Sequence, residues 1–279
     1  MEKVTSQKYF LVDNGSRRPE SIIYMRNVAI ELEKITGLPV TSCGIMHSHK
    51  VDTSKLGGQP GISMESFFLS NEADFVKKLS FVPMFLGPSL AITDWLPEKL
   101  SDWSQNGKNR EFSIADCLFQ NKDDRIARSL SEYVFDLIPQ CSSQEPFVIL
   151  VDHGTPLPEV NEVREKIGNI LKEILGNQIS GFSTACMERR EGTEYDFNDP
   201  LLETLLEQKK ASGSSCVILA QLFLAPGRHA GPNGDISEIC APFIKKGMEI
   251  SRTPTLGNHR LILEILAERL KELEVQSTC

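Results

Sequence analysis

The 279-residue chain contains no apolar run approaching the roughly 18 residues that a membrane span requires. Its start, Met1-Glu2-Lys3-Val4-Thr5-Ser6-Gln7-Lys8, lacks the apolar stretch of a signal peptide, so the sequence reads as cytoplasmic and off the membrane. The seven cysteines, Cys43, Cys117, Cys141, Cys186, Cys216, Cys240 and Cys279, are odd in number, scattered and without a C-x-x-C pair. That spacing argues against a disulfide framework, a zinc knuckle or a local iron–sulfur motif and leaves them as reduced, small hydrophobes. Neither G-x-G-x-x-G nor G-K-[ST] is present to cradle a phosphate. Positive charge is short too: 30 Lys and Arg against 38 Asp and Glu leave a net charge of −8. The surface as a whole therefore repels nucleic acid, and any anionic partner must meet a local basic patch. With 40% hydrophobic and 24% charged residues, the composition is that of a globular protein of one large or two smaller domains.

What the chain does contain is a repeat. Leu11-Val12-Asp13-Asn14-Gly15-Ser16-Arg17-Arg18-Pro19-Glu20 matches Leu150-Val151-Asp152-His153-Gly154-Thr155-Pro156-Leu157-Pro158-Glu159 at Leu, Val, Asp, Gly, Pro and Glu, an offset of 139 from Asn14 to His153. Phe81-Val82-Pro83-Met84-Phe85-Leu86-Gly87-Pro88 pairs with Leu219-Ala220-Gln221-Leu222-Phe223-Leu224-Ala225-Pro226 at 138, and Met46 with Met187 at 141. Three segments in one order at nearly one spacing indicate a duplication.

Each copy alternates β-rich and helical stretches. Strands are expected at 9–12, 40–46 and 80–86, then at 147–151, 181–187 and 216–224. Helices are expected at 21–35 and 72–79, then at 159–175, 200–210, 235–246 and 260–273. Pro19 and Gly37 bracket the first helix in the usual cap order. The pattern predicts an α/β protein of two similar domains, each a parallel β-sheet flanked by helices in flavodoxin- or Rossmann-type layers. The polar stretch 139–146 divides them into residues 1–140 and 141–279.

Ligands of open parallel sheets bind beyond the carboxyl ends of the strands. In the second half that rule brings His153, Glu188 and His229 together, spaced 35 and 41 residues apart and each following a different strand. Two imidazoles and a carboxylate suit divalent Co, Fe, Ni or Zn and can also accept protons near neutral pH. The same residues read equally well as loop histidines satisfying backbone groups beside a solvated glutamate. In the first half Asn14 takes the place of His153, His47 that of Glu188 and Ala91 that of His229, which leaves at most one candidate ligand. His47 and His49 form an H-x-H pair read as loop residues, and His259 reads as structural or as a helix cap. Arg189, Arg190 and Arg228 adjoin the proposed ligands and could pair with carboxylates, although Glu191, Glu194 and Asp196 compete for Arg190. Arg17 and Arg18 could extend that rim. Gly154, Gly227, Gly231 and Gly234 allow backbone to approach a flat ligand.

Asp152-His153-Gly154-Thr155, Met187-Glu188-Arg189-Arg190-Glu191 and Leu222-Phe223-Leu224-Ala225-Pro226-Gly227-Arg228-His229-Ala230-Gly231 resemble the class II tetrapyrrole chelatases, the sirohydrochlorin cobaltochelatases and ferrochelatases among them. The resemblance covers nearly the whole chain as two modules. It implies a chelatase-like fold with a cleft for the macrocycle and ATP-independent insertion of Co²⁺, Fe²⁺ or Ni²⁺, the metal being substrate and no prosthetic group being needed. It further implies that His153 and His229 bind the metal and accept pyrrole protons with Glu188 assisting as acid/base or ligand. Arg189, Arg190, Arg228 and Gly227 would hold the substrate. A tetrapyrrole would then be the partner, with no nucleic acid or membrane, and the fused modules make a monomer self-sufficient. The missing first-half histidines leave a second reading open, a non-catalytic tetrapyrrole- or metal-binding carrier.

Overall fold

The computed structural model describes residues 7–141 and 145–276. Residues 1–6 of the N-terminal stretch, the centre of the polar stretch 139–146 and Cys279 lie outside the described residues. The first half runs β1 (Gln7–Asp13), α1 (Pro19–Thr36), β2 (Val40–Gly44), α2 (Met64–Phe68), α3 (Glu72–Phe75), β3 (Lys78–Pro83), α4 (Leu96–Gln105), β4 (Glu111–Ile114) and α5 (Arg125–Leu137). The second runs β5 (Phe147–Asp152), α6 (Pro158–Leu175), β6 (Gly181–Cys186), α7 (Leu202–Ala211), β7 (Cys216–Gln221), α8 (Asp235–Lys245), β8 (Glu249–Arg252) and α9 (Arg260–Gln276).

The strands form two four-stranded parallel sheets of identical topology, β2-β1-β3-β4 and β6-β5-β7-β8. The central strands are nearly unbroken apolar runs because parallel strands are covered on both faces. Phe10, Leu11 and Val12 of β1 and Val148 to Val151 of β5 have no solvent exposure. One core gathers around Phe10, which meets Phe67 edge-on at 4.9 Å and stacks with Phe81 at 5.4 Å. The other gathers around Ile149, Val151, Leu206, Leu219 and Ile236. Helices α1 and α6 are each 18 residues long, and each carries proline at its first position. A proline there sacrifices no helical hydrogen bond. Gly37 closes α1 in the left-handed conformation, its N–H donating to the Glu33 carbonyl.

Three expectations change. The helix over 72–79 stops at Phe75, and Lys78 and Leu79 enter β3 in register with Gln7 and Lys8 of β1. Central-sheet pairing outweighs local helix pattern over so short a stretch. The compact units also differ from a cut at 140/141. One runs to Leu118 and resumes at Leu263, and the other is Phe119–Ile262. Helix α5 packs on α6 and β7 of the second sheet, while Glu274 near the end of α9 accepts hydrogen bonds from Gln7, at 3.2 Å, and from Tyr9 on β1. A polar linker marks where the chain is exposed, not where contacts divide, so a helix just before it can bury its apolar stripe on either sheet. The third change concerns register. Ile45 and Met187 donate to the carbonyls of Asp13 and Asp152, and Met46 and Glu188 to those of Asn14 and His153. Met46, not His47, therefore stands in the place of Glu188. Among the described residues no helix is long and apolar enough to cross a membrane.

Candidate active site

In the second unit the chain leaves β5 toward β6 on one side and later reaches β7 on the other, so the strand order reverses between β5 and β7. Such a switch point opens a crevice at the strands' carboxyl ends. His153 follows β5, Glu188 follows β6 and His229 lies in the loop after β7. The fold brings all three together: His153 Nε2 lies 3.0 Å from Glu188 Oε1, and the two imidazole rings meet edge to face with centroids 4.5 Å apart. The His153 side chain is 45% exposed and that of His229 31%, so the site is open to ligands.

The ring nitrogens are not equivalent. His229 Nδ1 lies 2.7 Å from Asp235 Oδ2, and a carboxylate can only accept, so Nδ1 carries the hydrogen and Nε2 presents a lone pair. His153 Nδ1 donates to the Gly154 carbonyl at 3.1 Å, leaving Nε2 for Glu188. Nε2 and Oε1 at that distance need a proton between them, and a divalent cation can take that proton's place. Asp235 was not among the sequence candidates. Its signal was a carboxylate at the first position of a helix six residues beyond a candidate ligand. Among the described residues no group of three or more His, Cys, Asp or Glu forms a ready metal cage. Two imidazoles with open positions suit a metal that must be handed on, because closed four-ligand sites retain theirs.

A buried frame holds the loops. Gly154 has φ +91°, and a Cβ there would stand 1.9 Å from the Glu188 carbonyl oxygen, so only glycine lets these loops touch. Asp152, at the end of β5, accepts from the Gly154 N–H at 3.1 Å and from Arg164 at 3.2 Å. Arg164 is 1% exposed and also donates to Glu165 and the Asn198 carbonyl. Asn198 in turn grips both backbone groups of Thr155 at 2.9 Å. Burial pushes the Asp152 carboxyl up and Arg164 pulls it back, while Asp152 and Glu165 hold the guanidinium protonated against burial. After β7, the Gly227–Gly231 turn closes through Gly231 N–H to the Gly227 carbonyl at 3.1 Å, where a Cβ on Gly231 would approach within 2.6 Å.

The arginines separate in role. Arg189 is engaged within its own loop, with Asp199 at 2.9 Å, Asp196 at 3.1 Å and the carbonyls of Arg190 and Gly192. Arg190 is exposed and lies over the Tyr195 ring at 5.8 Å. Arg228 is 71% exposed, with Asp235 3.4 Å from its Nε. Arg228 and Arg190 are thus the cations presented at the rim. In the first unit His49 is held by Ser63 at 2.6 Å, and Ala91 begins a π-helical turn. His259 accepts from the Leu261 N–H at 3.3 Å and contacts Glu132 at 3.1 Å, which is a cap. Cys43, Cys186, Cys216 and Cys240 are buried free thiols, and Cys117 and Cys141 half-buried ones.

The fold matches that of solved chelatase structures. Residues 147–273 match the CbiX family. The chain is similar to the chloroplastic sirohydrochlorin ferrochelatase of Arabidopsis thaliana, 27% identical over 126 residues that make up 44% of this chain and 51% of the relative. The match thus spans about half the length of that curated relative. Solved structures extend the likeness to the whole chain at the level of fold. SirB from Bacillus subtilis with Fe³⁺ aligns with a TM-score of 0.70 and 12% identity, covering 98% of this chain and 97% of SirB. The cobalt complex of the sirohydrochlorin chelatase SirB from Bacillus subtilis subspecies spizizenii aligns at 0.68 and 13% identity, covering 95% and 94%.

Proposed function

We propose that the protein is a lyase-type chelatase that inserts Co²⁺ or Fe²⁺ into sirohydrochlorin or a related tetrapyrrole without ATP. The convergence of His153, Glu188 and His229 at the β5/β7 switch point supports this reading best. The reaction exchanges two pyrrole N–H protons for one divalent cation. His229 Nε2, oriented by Asp235, and His153 Nε2 receive the metal substrate. Glu188 takes up the proton displaced from His153, and the imidazoles and Glu188 relay the pyrrole protons to solvent across the exposed rim. Arg228, Arg190 and the Gly227 turn hold the macrocycle's peripheral carboxylates, and Arg189 shapes the loop that carries Glu188. All these groups come from one unit of one chain, so a monomer suffices. The free thiols suit a reducing compartment such as the cytoplasm.

The test is anaerobic sirohydrochlorin mixed with protein and Co²⁺, Fe²⁺ or Ni²⁺, followed by the macrocycle's absorption against a no-protein control. Insertion faster than the control is expected with at least one metal. Saturable binding of the macrocycle without any rate above the control would make the protein a carrier instead.

A further inference from the structure

The matched frames of the two units differ in one buried charge. Helices α1 and α6 begin and end at the same offset of 139, which makes Met25 the counterpart of Arg164 and Asp13 the counterpart of Asp152. In the second unit the guanidinium of Arg164 fills the space beside the carboxylate. In the first, Asp13 keeps the Gly15 N–H at 2.9 Å and faces a cavity of about 420 Å³ between α1 and β2. That volume lies within the roughly 300–1,000 Å³ range of small-molecule sites.

The walls match an amphipathic cation. Ile22, Met25 and Ala29 supply an apolar side, and Ser16, Thr41 and Ser42 add hydroxyl groups to the lining. Arg26 also lines the cavity, but its guanidinium donates to the carbonyls of Leu56, Gln59 and Pro60 at 2.8–2.9 Å. Its charge opposes a second positive charge on any occupant, so the site favours a monocation. Guanidinium matches a carboxylate with two parallel donors, which an ammonium does not.

We propose that this cavity binds a small organic guanidinium, an alkyl stem between α1 and β2 and its fork on Asp13, where Arg164 sits in the second unit. The site is separate from the chelatase reading and stands or falls independently of it. Burial raises the Asp13 carboxyl to about 6, and among the described residues no cation pairs with it.

Calorimetric titration of the full chain with n-butylguanidinium tests this, with n-butylurea as the neutral isostere. Saturable binding of n-butylguanidinium is expected, at least about tenfold tighter than n-butylurea. Asp13→Asn should reduce it to the level of n-butylurea, and Met25→Arg should abolish it by placing a tethered guanidinium in the cavity. Equal binding of the two probes, or undiminished binding to Asp13→Asn, would overturn the proposal, as would no saturable heat with millimolar probe. The probe comparison needs only the wild-type protein, so it holds even where a variant fails to fold.

Discussion

The same substitution at two matched positions should change stability in opposite directions. Asp13 is a carboxylate that no cation pairs with among the described residues, and burial raises its carboxyl to about 6. A folded-state value above the unfolded value of about 3.9 means that the native state binds the proton more tightly. Stability of the first unit therefore falls as pH rises from about 4 to about 6 and stays low above that window. Each pKa step is about 1.4 kcal/mol, so ionised Asp13 costs about 2 kcal/mol at neutral pH once water in the cavity is allowed for. Asp13→Asn keeps an acceptor for Gly15 and should recover that amount at pH 7, with no effect at pH 3.5. Asp152→Asn instead leaves Arg164, 1% exposed, with Glu165 as its one carboxylate among the described residues, and should cost about 3 kcal/mol. Urea unfolding at both pH values reads the first unit through Trp95 and Trp103, the only tryptophans of the chain. Hydrogen exchange along β5 reads the second. A neutral or destabilising Asp13→Asn at pH 7, or a stabilising Asp152→Asn, would refute the reasoning.

Four further substitutions probe the site. Asp235→Asn removes the carboxylate that orients His229 and should weaken Co²⁺ binding about 10- to 100-fold with the fold intact, measured by metal titration and circular dichroism. Gly154→Ala forces a side chain at φ +91° into the Glu188 carbonyl and should cost at least about 2 kcal/mol, read as a lowered Tm. Arg228→Ala should raise KM for the macrocycle with kcat nearly unchanged, because a rim contact serves ground state and transition state alike. Arg189→Ala should mainly increase proteolysis of the 188–199 loop, since its partners are Asp196 and Asp199.

The duplication and the central strands were legible because buried parallel strands leave long apolar runs and cap residues repeat at one spacing. His153, Glu188 and His229 were found from that frame alone, each following a strand. The short edge strands Glu111–Ile114 and Glu249–Arg252 escaped notice, because four residues carrying charge on a half-exposed edge give no periodicity. That Met46 and not His47 matches Glu188 is invisible in the sequence, because a one-residue shift shows only in the register of the chain beyond β1 and β2. Arg189 looked like a substrate clamp, since adjacency in sequence does not reveal that Asp196 and Asp199 fold back on it. Asp235 and Arg164 act through partners 6 and 12 residues away in sequence, a coupling that only the loop and helix geometry discloses.

The central claim is that chemistry resides at the carboxyl ends of β5, β6 and β7. It is tested most directly by anaerobic Co²⁺ insertion into sirohydrochlorin with His153→Ala and His229→Ala beside His49→Ala. Each of the first two should lose at least about 100-fold in rate, while His49→Ala retains wild-type turnover. Wild-type rates in both His153→Ala and His229→Ala would contradict the assignment of this site.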